Sequence, residues 1–277
     1  MPELPEVETV ARSLRPFLVG RVIAEVDVLW PRSLVDLDPE TFASQVTGQT
    51  VVGVERRGKW IVLRFGGGGA LLIHLRMSGQ LILDSYVCPD DPHTRVRLLL
   101  DDGRRLYFSD TRKFGRLWLV NDPERVLADL GPEPLAAEFT VGRFAAMLAT
   151  RRRRLKPLLL DQRFVAGLGN IYVDEALWRA RIHPVRRADS LSEAEIERLY
   201  RSIRELLDAA VRRGGTTLRD ARYRSSDGRA GEFAVELAVY GRDGEGCPRC
   251  GHPISRIVVG QRGTHLCPVC QPAPSDA

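Results

Sequence analysis

The sequence predicts an α+β chain of several domains: an N-terminal helix with a β-sandwich, a helical domain, and a C-terminal β-hairpin between two cysteine pairs. Three observations carry this reading. From Arg21 to about Val120, short runs rich in branched and aromatic residues alternate with turn signals, as in a sandwich. Beyond Gly131-Pro-Glu-Pro134 the apolar spacing becomes helical. Near the end, Cys247, Cys250, Cys267 and Cys270 stand as C-x2-C-x16-C-x2-C. A length of 277 residues suits one large domain or two to three smaller ones.

In chain order, Pro5 fits a first helical turn. Val7, Val10, Ala11, Leu14 and Leu18 form its apolar stripe, and Gly20 can end it. Strands are expected at Val51–Val54, Trp60–Phe65, Ala70–Arg76, Gln80–Leu83, Val96–Leu100, Arg105–Phe108 and Leu117–Val120. Gly66–Gly69 and Asp101-Asp102-Gly103 separate some of them. Helices follow at Val141–Ala149, Leu155–Leu160, Ile171–Arg179 and Glu193–Arg212. Ser255–Val259 and Thr264–Leu266 read as a hairpin with Gly260-Gln261-Arg262-Gly263 at its tip. The expected domains are therefore 1–131, 132–238 and 239–277.

Composition narrows the functional classes. The chain is 44% hydrophobic and 28% charged, which excludes extensive disorder. It has no apolar run of membrane-spanning length and no basic leader, so a soluble cytoplasmic protein is expected. Residues 1–131 hold 17 Lys/Arg against 18 Asp/Glu; the rest hold 24 against 18. A basic half suits an anionic partner, nucleic acid foremost, although a solvated surface gives the same count. Of 41 basic residues only Lys59, Lys113 and Lys156 are lysine. Lysine can give up a proton where arginine cannot, so these three are candidates for proton transfer or amine chemistry.

The cysteine spacing fits one Zn²⁺ held tetrahedrally by four thiolates. Two redox dithiols, or free thiols, would be the other reading. Four thiolates leave no open position, so such an ion holds the fold and performs no chemistry. Cys88 stands apart as an ordinary thiol.

At the N-terminus Met1 precedes Pro2, and its removal would leave a secondary amine. With a pKa near ~7.7–8.0 an α-amino group is partly unprotonated at neutral pH, and it can attack an aldehyde-like sugar carbon. Glu3 beside it can move protons. The string Pro2-Glu-Leu-Pro-Glu-Val-Glu-Thr9, with the cysteine hairpin, closely resembles the bacterial formamidopyrimidine-DNA glycosylases, which repair 8-oxoguanine. The likeness continues through Arg57-Gly-Lys59, His74-Leu-Arg-Met-Ser-Gly79, Asp110-Thr-Arg-Lys-Phe-Gly115, Leu130-Gly-Pro-Glu-Pro134 and Lys156-Pro157. It extends over Gly167-Leu-Gly-Asn-Ile-Tyr172, Gly214-Gly-Thr-Thr-Leu218, Val239-Tyr-Gly-Arg242 and Gln261-Arg-Gly-Thr264.

The resemblance implies a β-sandwich, a helix–two-turn–helix domain and a zinc hairpin, with DNA in the cleft between the two halves. It implies a bifunctional glycosylase and lyase that flips an oxidised purine out of duplex DNA, attacks C1′ through Pro2, and cuts the strand by β,δ-elimination. Lys59 matches the proton donor for β-elimination. Arg262 matches that for δ-elimination, or else a phosphate contact, since arginine gives up protons poorly. Met77, Arg112 and Phe114 match the residues that fill the space left by the flipped base. Glycines close behind Met77 and Phe114 favour exposed fingers over ordinary core. His93 and Arg112 match DNA contacts, and Lys156 and Arg151 match phosphate ligands. Asn170 matches a phosphate site at a helix start, where it would also serve as an N-cap. The run Arg151–Arg154 departs from a stretch often lysine-rich in the family, and Arg219–Gly231 corresponds to the loop over the flipped base.

The implied protein is a monomer associated with the bacterial nucleoid. Two rivals stand beside it. A non-catalytic DNA-binding zinc protein would need neither Pro2-Glu3 nor Lys59. An endonuclease VIII-type enzyme acting on oxidised pyrimidines usually opens Pro-Glu-Gly-Pro-Glu, where this chain has Leu4.

Overall fold

Helix α1 (Leu4–Leu18) carries the stripe expected of it: Leu4, Val7, Val10, Ala11, Leu14 and Leu18 are all buried. The computed structural model describes residues 2–83, 91–217, 226 and 230–274; Cys88 and most of 219–231 lie outside these. By its packing the chain forms two units, residues 1–128 with 211–234, and residues 129–210 with 235–277.

In the first unit β1 (Ile23–Val28) leads to the short helix α2 (Pro39–Val46), then to β2 (Val51–Arg57), β3 (Trp60–Phe65) and β4 (Ala70–His74). β5 (Gly79–Leu83), β6 (Thr94–Leu100), β7 (Arg105–Asp110), β8 (Arg116–Val120) and helix α3 (Pro123–Leu127) follow. Two antiparallel four-stranded sheets result, ordered β1-β6-β7-β5 and β2-β3-β4-β8. Leu63, Leu71 and Ile73 of one sheet share a core with Val96, Leu98 and Phe108 of the other, joined by Val10 and Leu14 of α1 and Phe42 of α2. This is the expected sandwich.

Reading 21–120 as strands alone passes over α2. Its start is nevertheless written locally: the Asp38 carboxylate accepts from the Thr41 amide at 2.9 Å, and Pro39 occupies the first turn. The strand expected to run to Arg76 stops at His74, because Arg76 turns left-handed at φ 55° and donates its amide to His74 Nδ1.

The second unit holds α4 (Val141–Ala149), α5 (Leu155–Leu159), α6 (Asn170–Ala180), most of α7 (Glu193–Arg212), and the hairpin β9 (Ser255–Val259) with β10 (Arg262–Leu266). The hairpin turn is tighter than expected. Arg262 pairs with Val259, so it opens β10, and only Gly260 and Gln261 form the turn, at φ 57° and 62°. Two left-handed residues in succession match the twist of the flanking strands.

The stretch after α7 packs with the first unit. Thr216 donates its amide to Glu6 Oε1 at 2.7 Å, and Leu83 donates to the Ser226 carbonyl. Among the described residues no helix is long and apolar enough to cross a membrane. Leu14 is completely buried in the shared core. Leu14→Ala should lower stability by about 2–5 kcal/mol, measured as a shift in the denaturant midpoint of this unit.

Candidate functional site

Pro2 and Glu3 are buried at the head of α1. Glu3 is its N-cap and donates its amide to Glu6 Oε2 at 2.8 Å, while Glu6 Oε1 accepts from Thr216. Gly215 allows that approach. Its φ is +80°, and a Cβ there would lie 2.8 Å from Glu6 Oε1. Further along α1, Glu8 pairs with Arg56 at 2.7 Å, and Arg56 also donates to the Gly58 carbonyl. Burial alone would raise the Glu8 carboxyl, but Arg56 and then Arg12 outweigh it and hold Glu8 below its usual range. α1 is thereby tied to the two-residue turn Gly58-Lys59, where Lys59 is only 5% exposed. A buried carboxylate beside the chain's second residue, and an enclosed lysine on a rigid turn, are groups suited to moving protons.

His74 stacks edge-on against Trp60 at 4.9 Å. Burial, then the charges of Arg76 and Lys59, push its pKa down to about 3. The ring is neutral at working pH, and its Nδ1 is free to accept from Arg76 at 3.0 Å.

Two loops beyond β4 and β7 carry exposed apolar side chains. Met77 is 40% exposed and Phe114 46%, too much for core residues. The Arg112 guanidinium lies 5.0 Å from the Phe114 ring centre. Between the loops lies Asp110, which is buried. Its Oδ1 accepts from the Ser78 hydroxyl and from the Arg112 amide, and its Oδ2 from the Gly115 amide at 2.7 Å. His93 is exposed; its carbonyl accepts from the Asp110 amide at 2.9 Å, and its ring lies 3.5 Å from Arg95 Nη2.

In the second unit Lys156 is enclosed, where a direct phosphate ligand would be expected at the surface. Its side chain is wholly buried and its ammonium donates to Asp174 Oδ1 at 2.6 Å and to the Gly263 carbonyl at 3.1 Å. Asn170 Nδ2 donates to the same carbonyl at 2.9 Å. Lys156 and Asn170 thus converge on the residue after Arg262, which is itself exposed. Asn170 is the first residue of α6 and Gly169 the N-cap, so the plain capping role expected for Asn170 falls to glycine. Arg151 is exposed after α4, its backbone tied to Leu148 and Asp189.

The four cysteine sulfurs lie within 4.8 Å of one another, with Cys247–Cys270 at 3.9 Å and Cys250–Cys267 at 3.5 Å. Four thiolates about 2.3 Å from one Zn²⁺ in a tetrahedron would lie about 3.8 Å apart, so the donor set fits. Burial and the neighbouring thiols push Cys270 up to about 12. A divalent cation would supply the charge that lets all four ionise. The core beneath is small: Val239, Cys247, Ile254 and Cys267, with Trp178 against them.

The carboxylates that organise these groups escaped the sequence reading. Asp174 Oδ2 accepts the His265 amide at 2.9 Å, and Glu175 accepts the amides of Ala238, Val239 and Tyr240 at 2.8–3.1 Å. Burial raises the Glu175 carboxyl, and these three amides oppose the rise. A signal existed, since two adjacent acids interrupt the apolar run Ile171–Leu177.

Comparison with known proteins agrees with this geometry. Residues 1–117 match the formamidopyrimidine-DNA glycosylase N-terminal domain, 130–222 the H2TH domain of the same enzymes, and 244–273 the zinc finger found in FPG and IleRS. A formamidopyrimidine-DNA glycosylase of Symbiobacterium thermophilum is 50% identical, over 99% of this chain and 90% of that protein. One of a Roseiflexus species is 49% identical, over 98% and 100%. The crystal structure of the MutM (FPG) protein of Thermus thermophilus superposes with TM-score 0.88 at 47% identity, covering 98% of both chains. A Lactococcus lactis Fpg bound to DNA containing N7-benzyl-Fapy-dG gives 0.90 at 40% identity, covering 98% and 100%.

The site can be tested through its metal cluster and through its half-buried histidine. Trp178, the one tryptophan in its unit, donates its indole N–H to Cys247 Sγ at 3.4 Å. Removing zinc with a chelator, or Cys267→Ser, should shift Trp178 emission while the sandwich stays folded. The second test uses acid. The His74 pKa is about 3 in the fold against 6.5 for the free side chain, so between these values the unfolded chain takes up the proton and stability falls with pH. Lowering pH from 7 to 4.5 should therefore depress the melting temperature of the wild type more than that of His74→Gln.

Proposed function

Because the chain belongs to the formamidopyrimidine-DNA glycosylase family, we propose that it excises formamidopyrimidines and 8-oxoguanine from duplex DNA in base excision repair, and cleaves the strand at the resulting site. The observation that carries the reading is the bracing of Pro2 and Glu3 at the head of α1 by the Glu6 carboxylate.

In this reading Met1 is removed and the Pro2 nitrogen attacks the sugar C1′ while the damaged base departs with a proton. The sugar ring opens and an iminium links C1′ to Pro2. Glu3 handles the protons of base loss and ring opening. Loss of a C2′ proton then expels the 3′ phosphate, and a second elimination expels the 5′ phosphate. Lys59 acts in the first elimination. Arg262 acts in the second or holds a phosphate. Water finally releases Pro2.

Met77, Arg112 and Phe114 fill the space vacated by the flipped base. Their exposure, and the Arg112–Phe114 stacking, support this. His93, Arg151 and Asn170 hold the DNA backbone. Lys156, enclosed against Asp174, contributes by fixing Gly263 beside Arg262. Cys247, Cys250, Cys267 and Cys270 would hold one Zn²⁺, which fixes the hairpin and does no chemistry. The enzyme acts as a monomer on double-stranded DNA, in the cytoplasm and on the nucleoid. Domains 1–131, 132–238 and 239–277 supply the reaction centre, the helical DNA-binding part and the zinc hairpin. Leu4 argues against the oxidised-pyrimidine alternative.

Borohydride should trap the wild type covalently on a duplex containing 8-oxoguanine, and Pro2→Gly or retention of Met1 should abolish the adduct. Glu3→Gln should keep DNA binding and lose roughly 10²–10⁴-fold in base release. Preference for thymine glycol over 8-oxoguanine opposite cytosine would overturn the substrate assignment.

A further inference from the structure

We propose that Asp110 and Ser78 are positioning residues that lock the two finger loops into a single wedge, so that Met77, Arg112 and Phe114 enter the duplex as one body. The inference rests on the reading above, in which those three residues fill the vacated space.

The sequence places the fingers on separate loops. Met77 lies between β4 and β5, and Arg112 and Phe114 lie between β7 and β8. Sheet pairing brings the loop roots together, since Gly79 of β5 is opposite Asp110 of β7. One buried carboxylate spans the gap. Its Oδ1 accepts from Ser78, the residue after Met77, and from the amide of Arg112 at 3.1 Å. Its Oδ2 accepts from the amide of Gly115, the residue after Phe114. The Ser78 hydroxyl also accepts from the Arg112 amide at 3.2 Å, which closes the link between the loops.

The carboxylate is fixed from behind. The Asp110 amide donates to the His93 carbonyl, and its own carbonyl accepts from buried Arg95 at 2.9 Å. Gly115 lets the second loop close on it, for a Cβ there would lie 2.3 Å from the Phe108 ring. Each loop also holds a non-glycine residue in the left-handed region beside a finger, Arg76 at φ 55° and Lys113 at φ 59°. Such conformations persist where surrounding bonds impose them. The Asp110 link and the His74–Arg76 bond supply that imposition.

The chemistry of the link is specific. An ionised carboxylate offers acceptors on both oxygens, and here donors arrive at both. Asparagine of the same shape must turn its NH₂ toward one of them. Ser78→Ala removes both hydroxyl bonds between the loops, to Asp110 and from the Arg112 amide, and leaves Asp110 bound to its own loop.

The test compares single-turnover release of 8-oxoguanine from two duplexes. In one the lesion faces cytosine, which flipping leaves unpaired. In the other it faces an abasic position, where no partner base is left to be supported. The wild type should act on both; failure on both would overturn the proposed function and with it this inference, whereas the variants test the inference alone. Ser78→Ala should lose roughly tenfold or more on the cytosine duplex and much less on the other, because a misplaced wedge matters where a base must be displaced and replaced. Asp110→Asn should show the same selectivity and carries the comparison if Ser78→Ala does not fold. Both variants should keep the wild-type circular dichroism spectrum, and borohydride trapping on a preformed abasic site that faces an abasic position should fall little. Equal losses on both duplexes, or none in either variant, would overturn the proposal.

Discussion

The Glu6 carboxylate is the point on which the head of the molecule depends. In the proposed reaction Pro2 is the chain end, with a covalent neighbour on one side only, so its position must be imposed by the next turn of chain and by the segment packed over it. Glu6 does both at once. One oxygen holds the Glu3 amide at the start of α1, and the other holds the Thr216 amide, which lies more than two hundred residues away in sequence. Burying an acid is costly unless its acceptors are filled, and both oxygens have a backbone donor. The sandwich completes the arrangement, because α1 lies against its core through Val7, Val10 and Leu14.

The second unit repeats the device. Asp174 and Glu175 are adjacent on α6 and buried, and both gather backbone amides from segments far along the chain. Asp174 in addition neutralises Lys156 in a pair wholly out of solvent. Removing one partner of such a pair leaves an uncompensated charge and is strongly unfavourable, which makes the pair a fixed reference for the Gly263 carbonyl between them and the hairpin. Carboxylates therefore set both the head of α1 and the root of β10, while the arginines that dominate the composition lie mostly toward the surface.

Much of this was legible in residues alone. Short branched and aromatic runs between turn signals gave the sandwich, the cysteine spacing gave the metal cluster, and helical periodicity gave α4 and α7 to their observed ends. The features that escaped depend on partners distant in sequence. Asp110 is an ordinary turn-side acid until β5 is placed beside β7. Lys156 passes for a surface cation until Asp174 is found 2.6 Å away. The short α2 was hidden for a different reason: eight residues with only Phe42 and Val46 buried are too few to establish a helical period. Its cap, Asp38, was the better signal.

The turn at Gly260-Gln261 has a consequence for how this chain can vary. Side chains alternate faces along a strand, so one residue added to the turn would slip β10 against β9 and exchange its inward and outward rows. Thr264 and Leu266, both buried, would trade faces with Gly263 and His265, and Arg262, which shares the face of Thr264, would move to the other side. The cysteine knuckle directly after β10 would move with them. The length of this turn is therefore as constrained as the identity of the cysteines. The exposed Val258 can be replaced without disturbing the core, whereas Gln261 must keep a residue that accepts a positive φ and the count of residues from Val259 to Cys267 must not change.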